Sequence, residues 1–507
     1  MSEGIEAYSK KKVLSSIGHF FSGKIISAIC NFVTTLLIVR NLPSSYYAPY
    51  TVILGLAVSL QILSSLSLNI AASRFFPELL VKNAKEQLVK TFNSFLLIRG
   101  NALIFSIFLI FIFRKQIFAY LNLPYDSLLF FLIIGTLMFF VLFNFFVKLL
   151  EIFLLQKILK WLYITLTLTR ISLIAWLIYF GPGLDMTNIF AVEFFSYCIV
   201  SLPCLPLLYR FLAKNSTESH NRIENLNKRI LPFCIYNYLM QIVLLISSQA
   251  TDKVILMGNV PMDIMATFGF LASLTSQFER YLPSFLLANL IQPTLMAYYS
   301  KNSNIIGLTK VVNTLCKVNF FLTLPLVILS FVAGNSVILF LTDGKYKNFD
   351  GIFCILSFRI LLWSYTQMLG IITNATEKNR ELLLATGIES LFLIPALFAL
   401  QQFGLLGFLL VRMLGQLFRI YFLINRFRRN NIRIIFDRGF YRFFLAATAA
   451  GACIWPFTSA SMGLDGILIT TFFTIVIFYG TLLLMRPFTD DERAQINNFW
   501  GRKLFYW

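Results

Sequence analysis

Eight basic side chains fall inside segments of this sequence that are otherwise apolar and long enough to cross a membrane. They are Lys24, Arg99, Arg170, Arg280, Lys317, Arg359, Arg412 and Arg419, and the acids well inside such segments are Glu193, Glu279 and Glu389. A charge near the middle of a bilayer costs about 2.5–3.5 kcal/mol, so we expect these residues to face a helix bundle or a water-filled cavity. A cavity with surplus positive charge suits an anion.

Depth within the spans divides these bases. The bases far from both predicted ends of their spans are Arg170, Arg280, Arg359 and Arg412. Those close enough to the cytoplasmic end to snorkel are Arg99, Lys317 and Arg419. A purely structural network of ion pairs is the alternative, but three acids cannot pair with eight bases. Ion coupling or gating would fall to the acids Asp252, Glu279 and Glu389.

Polar residues recur at helical spacing in three of the apolar segments. The stripes are Lys24, Ala28, Asn31 and Thr35; Asn237, Gln241, Ser248 and Asp252; and Ser273, Gln277, Arg280 and Ser284. Small and hydroxyl residues also line tight packing between membrane helices, so Ser and Thr alone favour packing. The stripes with Lys24 or Arg280 favour a cavity lining. Asp252 and Lys253 fall at the outer end of the seventh span, where they could form a contact between the two lobes or mark the boundary between membrane and water.

The composition is that of an integral membrane protein. Of 507 residues, 58% are hydrophobic and 13% charged, and apolar runs of about twenty residues recur throughout. The seven cysteines show no CxxC spacing and only two histidines are present, which argues against a metal site or a histidine-based catalytic triad. We expect no cofactor. The first run, from Val13 to Arg40, is too long for a signal peptide and predicts a retained helix.

The apolar runs predict an all-α protein with about fourteen transmembrane helices. Their limits are 13–40, 46–70, 92–113, 127–147, 162–180, 187–209, 230–256, 264–297, 311–341, 351–371, 381–401, 404–425, 442–457 and 466–485. With the N-terminus inside, inner loops and tails hold 29 of the 43 basic residues and outer positions hold 6. This bias predicts that both termini are cytoplasmic. It also accounts for most of the net charge of +20, which argues against nucleic acid as a partner.

Two basic connections predict the domain organisation. They divide the chain into a six-helix lobe (1–210), a cytoplasmic linker (211–229), a second six-helix lobe (230–425), a basic linker (426–441) and two extra helices with a tail (442–507). The lobes share a faint repeat at an offset of 218, in which Asn41-Leu42-Pro43 with Ala48 and Tyr50 matches Asn259-Val260-Pro261 with Ala266 and Phe268. Such repeats commonly pack around a central site.

The chain resembles the bacterial polysaccharide flippases, the O-antigen repeat-unit translocases of the multidrug/oligosaccharidyl-lipid/polysaccharide (MOP) exporter superfamily. The resemblance rests on the six-six-two layout and on the segments IVRNLPSSYYAPYTVILGL, NIAASRFFPEL and SSQATDKVILMGNV. It implies two lobes in a V-shaped, alternating-access arrangement in the bacterial inner membrane. The substrate would be an undecaprenyl-diphosphate-linked oligosaccharide, moved from the inner to the outer leaflet. A polysaccharide polymerase and a chain-length regulator are possible partners.

The cationic lumen and the resemblance agree on an anionic headgroup. The residues expected to contact it are Lys24, Arg280, Arg359 and Arg412, with Arg170 next. A related drug exporter is the first alternative, although cationic drugs would prefer intramembrane acids. A membrane polymerase or glycosyltransferase is the enzymatic alternative, but the outer connections are short and no DxD cluster is present. The sequence therefore predicts a transporter rather than an enzyme.

Overall fold

The computed structural model describes residues 10–81, 84–214, 225–282, 285, 305–376, 378–429, 438–458 and 463–500. Within these residues the regular structure is helical, and no strand occurs. Twelve stretches of the described chain are long and apolar enough to cross a membrane. The protein is therefore a multi-pass membrane protein. It divides into two compact units, Met1–Gly269 and Phe270–Trp507.

Unit 1 is built from helices that alternate between long spans and short segments. They are α1 (Lys10–Asn41), α2 (Ser44–Leu63), α3 (Leu68–Val81), α4 (Lys85–Ile112), α5 (Arg114–Tyr120), α6 (Ser127–Ile152), α7 (Gln156–Tyr179), α8 (Met186–Ser201), α9 (Cys204–Lys214), α10 (Leu226–Ile246) and α11 (Gln249–Met257), and α12 (Met262–Arg280) continues into unit 2. Its core is rich in phenylalanine, with Phe76 stacked between Phe95 and Phe153.

Unit 2 continues with longer helices. They are α13 (Ile305–Val332), α14 (Gly334–Leu341), α15 (Asp350–Ala375), α16 (Asn379–Leu391), α17 (Leu393–Arg429), α18 (Arg438–Ile454), α19 (Leu464–Met485) and α20 (Asp490–Trp500), with a 3-10 turn at Trp455–Phe457. Gly404 interrupts α17 with φ of 63° and ψ of −157°, a conformation open to glycine because it has no Cβ. The predicted spans 381–401 and 404–425 therefore meet at Gly404.

The count of twelve differs from the predicted fourteen for two reasons. The stretch Arg380–Arg429 is counted once but contains both spans that meet at Gly404. Most of the second half of the predicted span 264–297 lies outside the described residues. The predicted division into lobes at 1–210 and 230–425 remains a prediction.

Several spans predicted as continuous are interrupted in the structure, the second, sixth and seventh among them. The second span stops at Leu63 and resumes at Leu68, with Leu66 and Ser67 at φ of 46° and 61°. The sixth breaks between α8 and α9, and the seventh between α10 and α11. The predicted stripe from Asn237 to Asp252 is therefore wrong as one continuous helical face, because the helix stops at Ile246.

The connection between the fourth and fifth spans is much shorter than the sequence indicates. The predicted limits of these spans, 127–147 and 162–180, leave fourteen residues between them, but α6 continues to Ile152 and α7 begins at Gln156. Lys148 and Glu151 form an i,i+3 pair at 3.4 Å, which stabilises the end of α6. The charged residues therefore lie on helix ends rather than in a loop.

The break after α2 is supported by side chains of two other helices. Arg99 of α4 donates to the carbonyl of Gln61 at 3.1 Å, and the Tyr238 hydroxyl of α10 donates to that of Leu63 at 2.9 Å. These carbonyls belong to the last turn of α2, where no helical N–H is available to them. The basic side chain is also favourably placed at the negative end of the helix dipole. Arg99 is therefore buried at the break rather than extended towards water.

Candidate functional site

In unit 1, Arg170 lies at the centre of a polar cluster formed by four helices. Its Nη2 is 2.5 Å from Oε1 of Glu193 and 3.5 Å from the Tyr50 hydroxyl, and its Nη1 donates to Oδ1 of Asn31 at 3.2 Å. Tyr50 also donates to Glu193 Oε1 at 2.7 Å. The Asn31 amide donates to Ser27 at 3.3 Å, which fixes its oxygen towards the arginine. The predicted substrate residue Arg170 is thus held by an internal carboxylate.

Lys24 lies on the same helix as Asn31, seven residues earlier. Its Nζ is 4.0 Å from the centre of the Tyr163 ring, close enough for a cation–π interaction. Tyr163 in turn precedes Arg170 by seven residues on α7, so both contacts join the same faces of α1 and α7. The polar face of α1, which the sequence predicts to line a cavity, therefore contacts α7 through Lys24 and Asn31.

In unit 2, one face of α17 carries three buried polar residues. Arg412, Gln416 and Arg419 follow helical spacing and are 2%, 4% and 4% exposed. Arg419 Nη1 lies 2.7 Å from Oε2 of Glu389, and its guanidinium is 5.7 Å from the centre of the Trp363 ring on α15. Glu389, a residue that the sequence suggests for ion coupling or gating, is thus the partner of a buried arginine.

Arg359 lies one turn before Trp363 on α15 and is also buried. It interacts electrostatically with Glu279, as does the neighbouring Arg280. Arg280 is the last residue of α12 and is exposed. Ser284, the final member of its predicted stripe, lies outside the described residues. Arg359, Arg412 and Arg419 therefore place three buried guanidinium groups on the packed helices α15 and α17.

Lys317 has a partner that lies outside every predicted span. Its Nζ is 2.8 and 2.7 Å from the carboxylate oxygens of Glu492, on the last described helix. Counting only the acids inside the spans therefore misses the partner of Lys317, because Glu492 lies beyond the last predicted span. The pattern Thr489-x-x-Glu492 is a capping box, and Glu492 Oε2 accepts the Thr489 N–H at 2.8 Å. The capping-box pattern is the feature of the sequence that could have indicated a helix beginning near Glu492.

Asp252 is fully buried in α11, so the side chain does not mark a water interface. In the next turns, the Tyr120 hydroxyl of α5 donates to the carbonyl of Val254 at 2.5 Å, and Gly258 lies against the Tyr120 ring. Partial burial raises the pKa of Tyr120 above its ordinary value, and the neutral phenol is the donor in this hydrogen bond. The outer end of the predicted seventh span is thus packed against α5.

The chemistry available to these residues is recognition of negative charge. Buried guanidinium groups bind phosphate and carboxylate through several N–H donors at once. Within the described residues, no group of three or more His, Cys, Asp or Glu side chains could hold a metal ion. Apart from Arg99, Arg280 and Lys317, the bases predicted inside the spans lie around Arg170 in unit 1 and along α15 and α17 in unit 2.

No protein-family model matches the sequence, and no curated protein sequence matches it. Solved structures do match its fold. A structure of the lipid II flippase MurJ in an inward closed conformation gives a TM-score of 0.66 at 14% identity, covering 92% of this chain and 98% of that one. An inward-facing multidrug resistance MATE transporter of the MOP superfamily gives 0.61 at 13% identity, covering 83% and 100%.

A structure of the MATE multidrug transporter DinF-BH gives a TM-score of 0.57 at 14% identity and covers 85% of this chain and 98% of its own. At these identities the likeness establishes the fold alone. The chain has an all-helical, membrane-spanning fold like that of these transporters, and the predicted fold class is confirmed.

Proposed function

We propose that this protein is a flippase that moves an undecaprenyl-diphosphate-linked oligosaccharide from the inner to the outer leaflet of the bacterial plasma membrane. The observation that carries the proposal is the buried arginine surface of unit 2, formed by Arg359, Arg412 and Arg419. Burying guanidinium groups among membrane helices is costly, and such residues commonly mark a substrate or ion pathway. A diphosphate offers the negative charge and the acceptor oxygens that would engage them.

Two carboxylates of the described chain lie against these arginines, because Glu389 pairs with Arg419 and Glu279 interacts electrostatically with Arg359. Glu389 binds Arg419 at 2.7 Å, so Arg419 serves to hold α16 against α17. Arg359 and Arg412 are the principal headgroup contacts in this proposal, with Lys24 and Arg280 as further contacts. Arg170 joins them only when it is released from Glu193.

The fold similarity supports transport of a lipid-linked substrate, because one similar structure is a lipid II flippase. Export of a small molecule is the second candidate, and the likeness to multidrug MATE transporters favours it. The charge of the buried surface distinguishes the two. Arginine groups would attract an anionic headgroup and repel a cationic drug.

Translocation by the purified protein in proteoliposomes tests this proposal. A lipid-linked oligosaccharide is incorporated on both leaflets, and an impermeant glycosidase reports the fraction that reaches the outside. We expect the protein to raise the accessible fraction with time, whereas protein-free vesicles should show about half of the lipid cleaved and no later increase. Export of a cationic dye without movement of the lipid-linked oligosaccharide would contradict the proposal and favour the small-molecule exporter.

A further inference from the structure

Arg170 and Glu193 form a pair whose two members differ in how a ligand could reach them. The Arg170 side chain retains 14% exposure, whereas the Glu193 side chain is fully buried. The hydrogen bonds that Arg170 and Tyr50 donate to this carboxylate both end on Oε1. Within the described chain, Glu193 Oε2 is buried and has no hydrogen-bond partner. An incoming anion would thus meet the guanidinium but not the carboxylate.

Among the described residues of unit 1, Arg170 is the one cation that pairs with Glu193. The ionisable groups nearest to it are Arg170 on α7, Tyr47 and Tyr50 on α2, and Tyr197 on α8. The helices packed around it also carry Lys148 and Glu151 on α6, Lys157, Lys160, Tyr163 and Tyr179 on α7, and Tyr209, Arg210 and Lys214 on α9. Of these, the nearest charge is Arg170, and the tyrosines are neutral donors. Losing Arg170 would leave the carboxylate with its hydrogen bond from Tyr50.

A buried ion is strongly destabilised when its partner is removed, because the desolvation cost is no longer offset. A carboxylate can avoid this cost by taking up a proton, since desolvation favours its neutral form. Oε2 is the oxygen available for that proton, because Oε1 already accepts the hydrogen bond of Tyr50. The acid formed at Oε2 would keep its contact with Tyr50 and need no cation.

We propose that Arg170 is a second anion-binding residue and that Glu193 takes up a proton when an anion displaces it from Arg170. The inference rests on the proposed function and adds a coupling site to it. The empty pair is neutral, with Glu193 occupying the guanidinium. When a phosphate-type group binds Nη2, one proton adds to Glu193, and when the anion leaves, that proton is released and the pair re-forms.

Linkage makes this coupling reciprocal, so protonation of Glu193 strengthens anion binding by the same factor by which anion binding favours protonation. Because one proton is taken up with the ligand, affinity should rise as the pH falls, by up to about tenfold per pH unit. A side chain at position 193 that is always neutral should remove the part of the pH dependence of anion affinity that comes from Glu193. Glu193→Gln preserves the side-chain volume and an acceptor for Tyr50, and it cannot take up a proton.

The experiment measures binding of undecaprenyl diphosphate to the detergent-purified protein at several pH values, with infrared difference spectra on the same samples. The expected result is tighter binding at lower pH, together with a protonated carboxyl band that appears on binding. In Glu193→Gln, binding should be as tight as wild-type binding at low pH, with a flatter pH profile and without that band. Titration of the diphosphate itself affects both proteins equally, so the difference between them isolates Glu193.

Glu86→Gln is the control, because it neutralises another carboxylate that pairs with a cation, and both members of that pair are exposed. It should retain the wild-type pH profile. Binding by the wild type without the carboxyl band, or an unchanged profile in Glu193→Gln, would overturn the inference and leave the proposed function standing. If undecaprenyl diphosphate does not bind at any pH, both fail. The infrared measurement on the wild type decides the question even if the variant does not fold.

Discussion

Lys317 and Glu492 are joined by two short contacts, with the ammonium nitrogen 2.8 and 2.7 Å from the carboxylate oxygens. The pair links α13 to the helix that follows the last span, and Lys317 also donates to the carbonyl of Pro487 at 3.3 Å. Phe488, beside it, packs against Phe321 and Phe443. The segment after the last span is thus an integral part of unit 2.

Breaking this pair should destabilise unit 2. Lys317→Met leaves Glu492 beside a buried apolar surface, and removing one partner of a buried pair typically costs about 3–5 kcal/mol. The double variant Lys317→Met/Glu492→Met should lose much less than the sum of the two single variants, because neither charge is left behind. Thermal unfolding in detergent measures the midpoints of all three.

The exposed pair of Lys90 and Glu86 provides the control for that series. Its members are 68% and 61% exposed, so Lys90→Met should change stability by less than about 1 kcal/mol. Equal and additive losses for Lys317→Met and Glu492→Met would show that the two side chains act independently, against this account.

Topology follows from the distribution of basic residues. Single cysteines on a cysteine-free background should react with an impermeant reagent from outside when placed beside Asp185 and Asp343, and only after permeabilisation when placed beside Lys85 and Arg429. Labelling of the connection 426–441 from outside would rule out the arrangement with both termini in the cytoplasm.

Membrane potential should drive transport if the substrate headgroup is anionic. With the cell interior negative, outward movement of one negative charge is favoured by about 2.3 kcal/mol per 100 mV if it crosses the full field. The same potential favours reorientation of the empty, positively charged site from outward-facing to inward-facing, which is the return step of an export cycle. An imposed potential should therefore change the rate of translocation in proteoliposomes, and reversing its sign should reverse the effect.

If the rate of translocation does not change with the potential but does change with a proton or sodium gradient, the potential is not the driving force. Transport would then be an electroneutral exchange with that ion. The same vesicles separate the two outcomes, because ionophores set the potential and the ion gradient independently.

The apolar runs of the sequence predict the helical class because each backbone in a bilayer must satisfy its hydrogen bonds internally. The breaks at Ser64–Ser67 and Ser247–Ser248 could not be predicted in the same way. At the first break the freed carbonyls accept hydrogen bonds from distant side chains, such as Arg99 on Gln61, and at the second the carbonyl of Leu245 accepts from the nearby Ser248 and Thr251 hydroxyls. Hydropathy carries no information about these contacts.

The candidate site shows the same limit. The positions of Arg170 and Arg419 are visible in the sequence, but their pairing with Glu193 and Glu389 depends on which helices are neighbours. Lys317 is the clearest example, because its partner Glu492 follows the last predicted span. Counting charges inside the spans therefore overstates the number of bases available to a ligand.

The central claim is that buried arginines of unit 2 recognise an anionic headgroup, and a binding comparison tests it most directly. The purified protein is titrated with undecaprenyl diphosphate and with undecaprenol, which shares the tail and lacks the charge. Charge-assisted hydrogen bonds contribute about 1.5–3 kcal/mol each, so we expect at least about a tenfold preference for the diphosphate. Arg359→Gln/Arg412→Gln should lose that preference while Lys90→Gln retains it. Equal binding of the two lipids by the wild type, or an unchanged preference in the double variant, would contradict the account.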